Sequence, residues 1–290
     1  MHTQTLQLNG KAFFVRSWGE TTRAPLLMLH GFPEFGGAWE ELAEKMGDRF
    51  HAIAPDQRGY GQSWSPEGVE KYRLSHLVAD MAALVDQIGA PVRVLGHDWG
   101  AAVAYGLAMT HPDKVSRLAI VNGVHPVPFQ RALARGGAQT DASQYITALR
   151  REGSEDRLSA NGYEKLFSAF SARMDMSWMT PARRADYLAA WSAGGGRLGT
   201  MINWYRASPL VVGPPATPIK DLPEFPLDRM QIRCPHLLVW GMNDTALLPE
   251  ATEGLEDFAA DLTRVTIDDA DHWVVHQRPD RVAQILRDWL

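Results

Sequence analysis

From Arg23 onward, short apolar runs alternate with amphipathic stretches of helical period, and this rhythm narrows the fold more than any other feature of the chain. Leu26-Leu27-Met28-Leu29 reads as a buried strand, ended by His30-Gly31-Phe32-Pro33. Residues 38–46 repeat apolar side chains at helical spacing, with Trp39, Leu42, Ala43 and Met46 on one face. A strand at 51–54 stops at Pro55-Asp56, and a helix over 74–88 carries Leu77, Met81, Leu84, Val85 and Ile88 on its inner stripe. A strand at 92–95, a helix running from Gly96 to Thr110 and a strand at 118–121 complete the first half. Strand and helix alternating at this pace predict βαβ units: an α/β fold with a mostly parallel sheet and helices on both faces.

The rhythm breaks after that. Between about Val127 and Met230 the segments are helix-like, with Gly194-Gly195-Gly196 and a Pro-rich stretch from Pro209 to Pro226, and no buried strand is evident. It resumes with a strand at 237–240, a helical stretch at 249–259, a strand at 264–267 and a helix at 280–290. The expected organisation is therefore a core built from residues 1–126 and 231–290, interrupted by a helical cap at 127–230.

Composition excludes several classes. At 45% hydrophobic and 22% charged, the 290 residues are too apolar for a disordered chain, and no apolar run approaches a membrane span. A net charge of −5 without a Lys/Arg block argues against a nucleic-acid partner. Cys234 is the only cysteine, so no intrachain disulfide can form. Residues 1–11 read as the start of a strand and not as a signal peptide, and a cytoplasmic location is expected. The oligomeric state stays open between monomer and homodimer. Residues 131–206 hold eleven Lys/Arg against seven Asp/Glu, a local positive excess expected to sit on solvated helix faces.

The chemistry centres on Gly96-His97-Asp98-Trp99-Gly100, which follows a strand and opens a helix rich in alanine. That is the context of a nucleophile elbow with aspartate where serine usually stands. A carboxylate is already ionised at neutral pH. Its attack on a saturated carbon gives an alkyl ester that water can cleave, so Asp98 points to ring opening or displacement at sp³ carbon. The alternative is a helix cap, since aspartate is a favoured N-cap residue. In chain order, the acid and the histidine of such a site fall on Asp244, after the strand ending at Trp240, and on His272, after the last strand. Asp271 competes as the acid. The oxyanion donors would be the backbone N–H groups of Phe32 and Trp99. The histidines lie on different loops without ligand spacing, so neither metal nor cofactor is expected.

His30-Gly31-Phe32-Pro33-Glu34, Asp56-Gln57-Arg58-Gly59-Tyr60-Gly61 and the Asp98 elbow together resemble the epoxide hydrolases of the α/β-hydrolase fold. The resemblance runs from Leu8 to Leu290 and includes Asn122 and His125-Pro126. It implies conversion of an epoxide to a vicinal diol through an ester on Asp98, cleaved by water that His272, oriented by Asp244, activates. It also implies two cap tyrosines that protonate the epoxide oxygen. Asn203-Trp204-Tyr205-Arg206 matches one cap motif and indicates Tyr205; Ser143-Gln144-Tyr145-Ile146 suggests Tyr145. Tyr163 and Tyr187 carry no matching motif. Phe32, Trp99, Trp204 and Trp273 are expected around a small, mostly apolar epoxide, while Met174 and Trp178 read as cap packing. Glu34 is a candidate for placing the water, or a loop-stabilising carboxylate. The alternatives are a dehalogenase using the same aspartate and a ligand receptor on a hydrolase scaffold. The chain departs from the pattern at Gly36-Gly37, where bulky aromatics are usual, and at Asp271, where glycine often precedes the histidine.

Overall fold

The computed structural model describes residues 1–290 except 90 and 172. Its eight strands are β1 (His2–Leu8), β2 (Lys11–Trp18), β3 (Ala24–Leu29), β4 (Phe50–Pro55), β5 (Val92–His97), β6 (Val115–Val121), β7 (His236–Gly241) and β8 (Leu262–Ile267). They form one sheet in the order β1-β2-β4-β3-β5-β6-β7-β8. Strands β3 to β8 run parallel, while β1 and β2 extend one edge antiparallel. The β1–β2 turn is Asn9-Gly10, both at positive φ, which matches the twist of a tight hairpin.

Parallel strands covered on both faces must be apolar throughout, and β7 is buried along its whole length. Alternate residues feed two cores. Leu27 and Leu29 of β3 pack on the face of α2 (Leu74–Ile88) and α3 (Trp99–Thr110), with Val78, Met81 and Val103. Leu26 and Met28 face the other way, toward Leu42 and Met46 of α1 (Glu40–Met46) and Leu286 of α11 (Pro279–Trp289).

After β3 the chain moves to β4 on one side of it, then to β5 on the other. The carboxyl ends of β3 and β5 therefore flank a topological switch point, the place where sheets of this kind hold ligands. The loops carrying His30-Gly31-Phe32 and Asp98 leave from these ends.

Among the described residues six α-helices lie between β6 and β7: α4 (Pro126–Ala134), α5 (Ala138–Ala142), α6 (Gln144–Arg150), α7 (Ser154–Phe170), α8 (Pro181–Ser192) and α9 (Leu198–Ala207). Among the described residues no strand occurs there, as the loss of alternation predicts. Helix α7 is broken at residues 160–163, where Asn161, Gly162 and Tyr163 take left-handed conformations. The helix expected over 249–259 is instead two 3-10 turns, Pro249–Thr252 and Leu255–Asp257, separated by Gly254 at φ 79°. A short α10 (Val274–Gln277) precedes α11. Among the described residues, no helix is long and apolar enough to cross a membrane.

Candidate active site

Asp98 sits between β5 and α3 at φ 50° and ψ −121°, a conformation that side-chain-bearing residues rarely adopt. The turn is possible because its neighbours are glycine. A Cβ on Gly100 would lie 2.0 Å from the Leu29 carbonyl oxygen, and one on Gly31 would lie 2.3 Å from the Asp98 carboxylate. Although Asp98 occupies the N-cap position of α3, its side chain caps nothing. It accepts a hydrogen bond from the Phe32 N–H at 2.7 Å. The helix-cap alternative is thereby answered: the carboxylate points into the loop after β3.

That loop is fixed by His30. Its Nε2 accepts from the Gln57 N–H, so Nδ1 carries the proton and donates to the Gly31 carbonyl at 3.0 Å. Burial lowers the His30 pKa and keeps the ring neutral, as this pattern requires. The bond between Phe32 and Pro33, whose isomer the sequence leaves open, is cis.

His272 Nδ1 lies 2.7 Å from Asp244 Oδ2, and its Nε2 is 3.7 Å from Asp98 Oδ2. Asp244 also accepts from Asn122 Nδ2 at 2.9 Å and from the Ala246 and Leu247 N–H groups. Burial would raise the Asp244 pKa, but His272 and these donors outweigh it and lower it. For His272, burial alone would lower the pKa; Asp244 foremost, then Asp98 and Glu34, raise it to about 9. Asp271, the competing acid, turns away: its carboxylate accepts from the N–H groups of Asp175 and Trp273. Asp175 lies after α7, so Asp271 ties that segment to the loop of the histidine.

Asp98 and His272 open into a cavity of about 520 Å³. Tyr145 of α6 and Tyr205 of α9 also line it, with ring centroids 6.1 Å apart and edge to face. Phe32 and Trp99 hold the Tyr205 ring at 5.2 and 5.1 Å. Burial, reinforced by the Asp98 charge, pushes both phenol pKa values up, so each hydroxyl keeps its proton. Phe32 and Trp273 line the cavity, as does Met174, which the sequence reading assigned to packing. Trp99 and Trp204, expected around the substrate, are not among the residues lining it. Trp204 is only 1% exposed, and its indole N–H donates to the Arg58 carbonyl at 3.0 Å. Its role is to hold α9 on the loop after β4. The Gly36-Gly37 departure does not widen this cavity. Gly36 donates to Asp56 Oδ1, and a Cβ there would lie 2.7 Å from the Ala54 carbonyl, so the glycines serve a tight turn.

Glu34 is the centre of a buried cluster. Its Oε1 accepts from the Tyr187 hydroxyl and from His276 Nε2, each at 2.7 Å, and its Oε2 lies 3.1 Å from His97 Nδ1. His97 Nε2 in turn donates to the His272 carbonyl at 2.9 Å. Burial alone would raise the Glu34 pKa, but the two imidazoles hold it well below the usual carboxylate range. Trp178 stacks on His276 with centroids 4.0 Å apart. Tyr187 and His276 were not legible as site residues: they stand 153 and 242 positions from Glu34, and neither lies in a recognisable motif. The one available signal was that histidines occur inside the elbow and four residues beyond His272.

Residues 24–279 match the family described as alpha/beta hydrolase fold. The AB hydrolase superfamily protein YfhM of Bacillus subtilis is 31% identical across 99% of this chain and 97% of its own length. Human epoxide hydrolase 4 is 29% identical across 96% of this chain and 75% of its own. A solved structure of an epoxide hydrolase of the α/β hydrolase superfamily, from metagenomes of hot environments, is 34% identical and superposes with a TM-score of 0.88. That similarity covers 99% of this chain and 98% of the other.

Proposed function

Because the chain belongs to the α/β-hydrolase fold family, in the branch that holds its epoxide hydrolases, we propose that it opens epoxides to vicinal diols through a covalent ester on Asp98. The observation that carries this reading is one cavity lined by the Asp98 carboxylate together with two phenol groups, Tyr145 and Tyr205. A departing halide is a weak base that needs no proton, whereas an epoxide oxygen, which leaves as a basic alkoxide, needs an acid to supply one.

In the first step a carboxylate oxygen of Asp98 attacks a ring carbon. The carbon–oxygen bond of the ring breaks, and the oxygen takes a proton from one of the tyrosines. The ester has no charge, so one of the contributions that hold the His272 pKa near 9 disappears. The imidazolium then returns a proton to the phenolate and becomes the base of the second step. Neutral His272 takes a proton from water, hydroxide adds to the ester carbonyl, and the Phe32 and Trp99 N–H groups hold the oxyanion. Collapse expels the diol and restores Asp98. The helices α4 to α9 act here as a lid on the core, supplying the acid groups, while the core supplies nucleophile and base. Glu34 acts through His97 as a positioning residue for the loop of His272.

The test is intact-mass analysis of the His272→Gln variant with matched panels of epoxides and haloalkanes. Without the base, the ester forms and persists. An adduct equal to the whole mass of the epoxide, mapped to the Asp98 peptide, is expected. Adducts from haloalkanes alone would make the protein a dehalogenase, and a folded variant with no adduct but with ligand affinity would make it a receptor.

A further inference from the structure

The cations of the lid are not distributed at random with respect to the cavity. Between Arg131 and Arg206, Arg131, Arg135, Arg183, Arg184 and Arg206 form ion pairs with carboxylates. Arg150, Arg157 and Arg197 donate guanidinium N–H groups to backbone carbonyls. Of the six cations in this span without a carboxylate partner among the described residues (Arg150, Arg151, Arg157, Lys165, Arg173 and Arg197), three, Arg157, Lys165 and Arg173, line the cavity that contains Asp98, and none of the ion-paired ones does. They are exposed at its outer end, whereas Leu149, Leu166 and Phe170 make its wall buried and apolar. The one carboxylate beside them in the lining apart from Asp98 is Asp141, which is also exposed and accepts from the Ala216 N–H. The break in α7 lies between Arg157 and Lys165, so the two halves of the helix each present one cation and one leucine to the same space.

Resting on the hydrolase reading above, we infer that the preferred substrate is an epoxide on an apolar chain that ends in an anion, a carboxylate, held by Arg157, Lys165 and Arg173 at the cavity mouth. This adds a charged end to the small, mostly apolar epoxide expected from sequence. An apolar cavity alone accepts either. Three cations without a carboxylate partner at its mouth discriminate, because a solvated ammonium or guanidinium attracts an incoming carboxylate through the last ångströms without the burial of either charge. With Asp141 as the one exposed carboxylate beside them, this part of the lining is positive in a chain of net charge −5.

The experiment compares 10,11-epoxyundecanoic acid with 10,11-epoxyundecanol, as kcat/KM at low salt and at about 0.5 M salt, in the wild type and in the triple variant R157A/K165A/R173A. Binding of the two corresponding diols, which requires no chemistry, is measured in parallel by tryptophan fluorescence. The wild type should prefer the acid on the order of tenfold at low salt, mainly through KM. High salt and the triple variant should each remove most of that preference. The diols should show the same ratio. An acid-to-alcohol ratio unaffected by the substitutions, or tighter binding of the alcohol diol by the wild type, would overturn the inference. Diol preference without turnover of either epoxide would instead retain the anion site and refute the hydrolase reading.

Discussion

At the scale of single residues, the proposed reaction divides its work between one strained carboxylate and two phenols. Asp98 is held in a backbone conformation whose cost is about 1–3 kcal/mol, sustained by glycines that let neighbouring backbone approach within contact distance. Tyr145 and Tyr205 line the same cavity, with their protons secured by burial. Replacing either with phenylalanine should slow ester formation on the His272→Gln background roughly 10- to 100-fold, as expected for the loss of one donor to a developing oxyanion. The double variant should fall much further, because the second phenol can no longer take over. Rapid-quench mass analysis of the adduct reads this directly; equal rates in all variants would remove the tyrosines from the chemistry. That these three line one cavity was legible unevenly: Asp98 stands in an elbow with a mechanical reason for its residue type, whereas Tyr145 and Tyr205 were indicated by the family resemblance. Glu34 was only half legible. The sequence shows a carboxylate next to the oxyanion loop, but its partners come together only when α8 and α10 fold onto that loop.

At the scale of elements, α8 and α9 are fastened to the core in part by hydrogen bonds to two loops. Tyr187 reaches Glu34, and the Trp191 indole donates to the Pro33 carbonyl at 2.6 Å. Thr200 and Trp204 donate to the Gly59 and Arg58 carbonyls. Helix α8 thus bears on the loop that donates to the nucleophile, and α9 bears on the next loop. Tyr187→Phe removes a bond to a buried carboxylate, which typically contributes about 1.5–3 kcal/mol. A fall of the denaturation midpoint of that order is expected, together with a change in the pH profile of ester hydrolysis, since Glu34 holds His97 and His97 holds the His272 backbone. Loss of stability with an unaltered pH profile would make the cluster a structural fastening only. The alternating core elements were legible because burial on both faces demands continuous apolar runs. The two 3-10 turns at 249–257 were not, because apolar periodicity says nothing of the left-handed Gly254 between them. Within the lid, the elements were legible as helices, but which face of each meets the cavity depends on packing among them.

At the scale of the whole molecule, buried histidines with lowered pKa values contribute to the response to acid: His30, His125 and His236. His125 accepts the Val127 N–H at its Nδ1 and donates from Nε2 to the Met230 carbonyl, while His236 lies between the Tyr105 hydroxyl and the Leu118 carbonyl. Burial lowers each to about 4. Between pH 6.5 and 4 the unfolded chain binds protons that the folded one refuses, so folding stability falls as the pH falls through this window, on the order of 1–3 kcal/mol for each histidine. His272 acts in the opposite direction. Its pKa is raised to about 9, so the stability from its pairing with Asp244 is complete below about 6.5 and is lost as the pH rises through 9. Denaturant unfolding across pH 4–10 should therefore give a dome with its top near neutrality. His236→Gln should flatten the acid limb and His272→Gln the alkaline limb, and a limb left unchanged would exclude its histidine as the cause.

The wall of the cavity that meets the far end of a ligand is drawn mainly from one uninterrupted stretch, residues 141–174, whereas the nucleophile and base stand on loops at the ends of β5 and β8. On the proposed reading, the far wall and the nucleophile–base pair are thus written in separate passages of the chain, with Tyr145 the one reacting group inside the wall. Drift in that stretch around a retained Tyr145 leaves nucleophile and base intact, so a lineage can change its diet without relearning its chemistry, and that stretch is the natural unit to transplant between relatives.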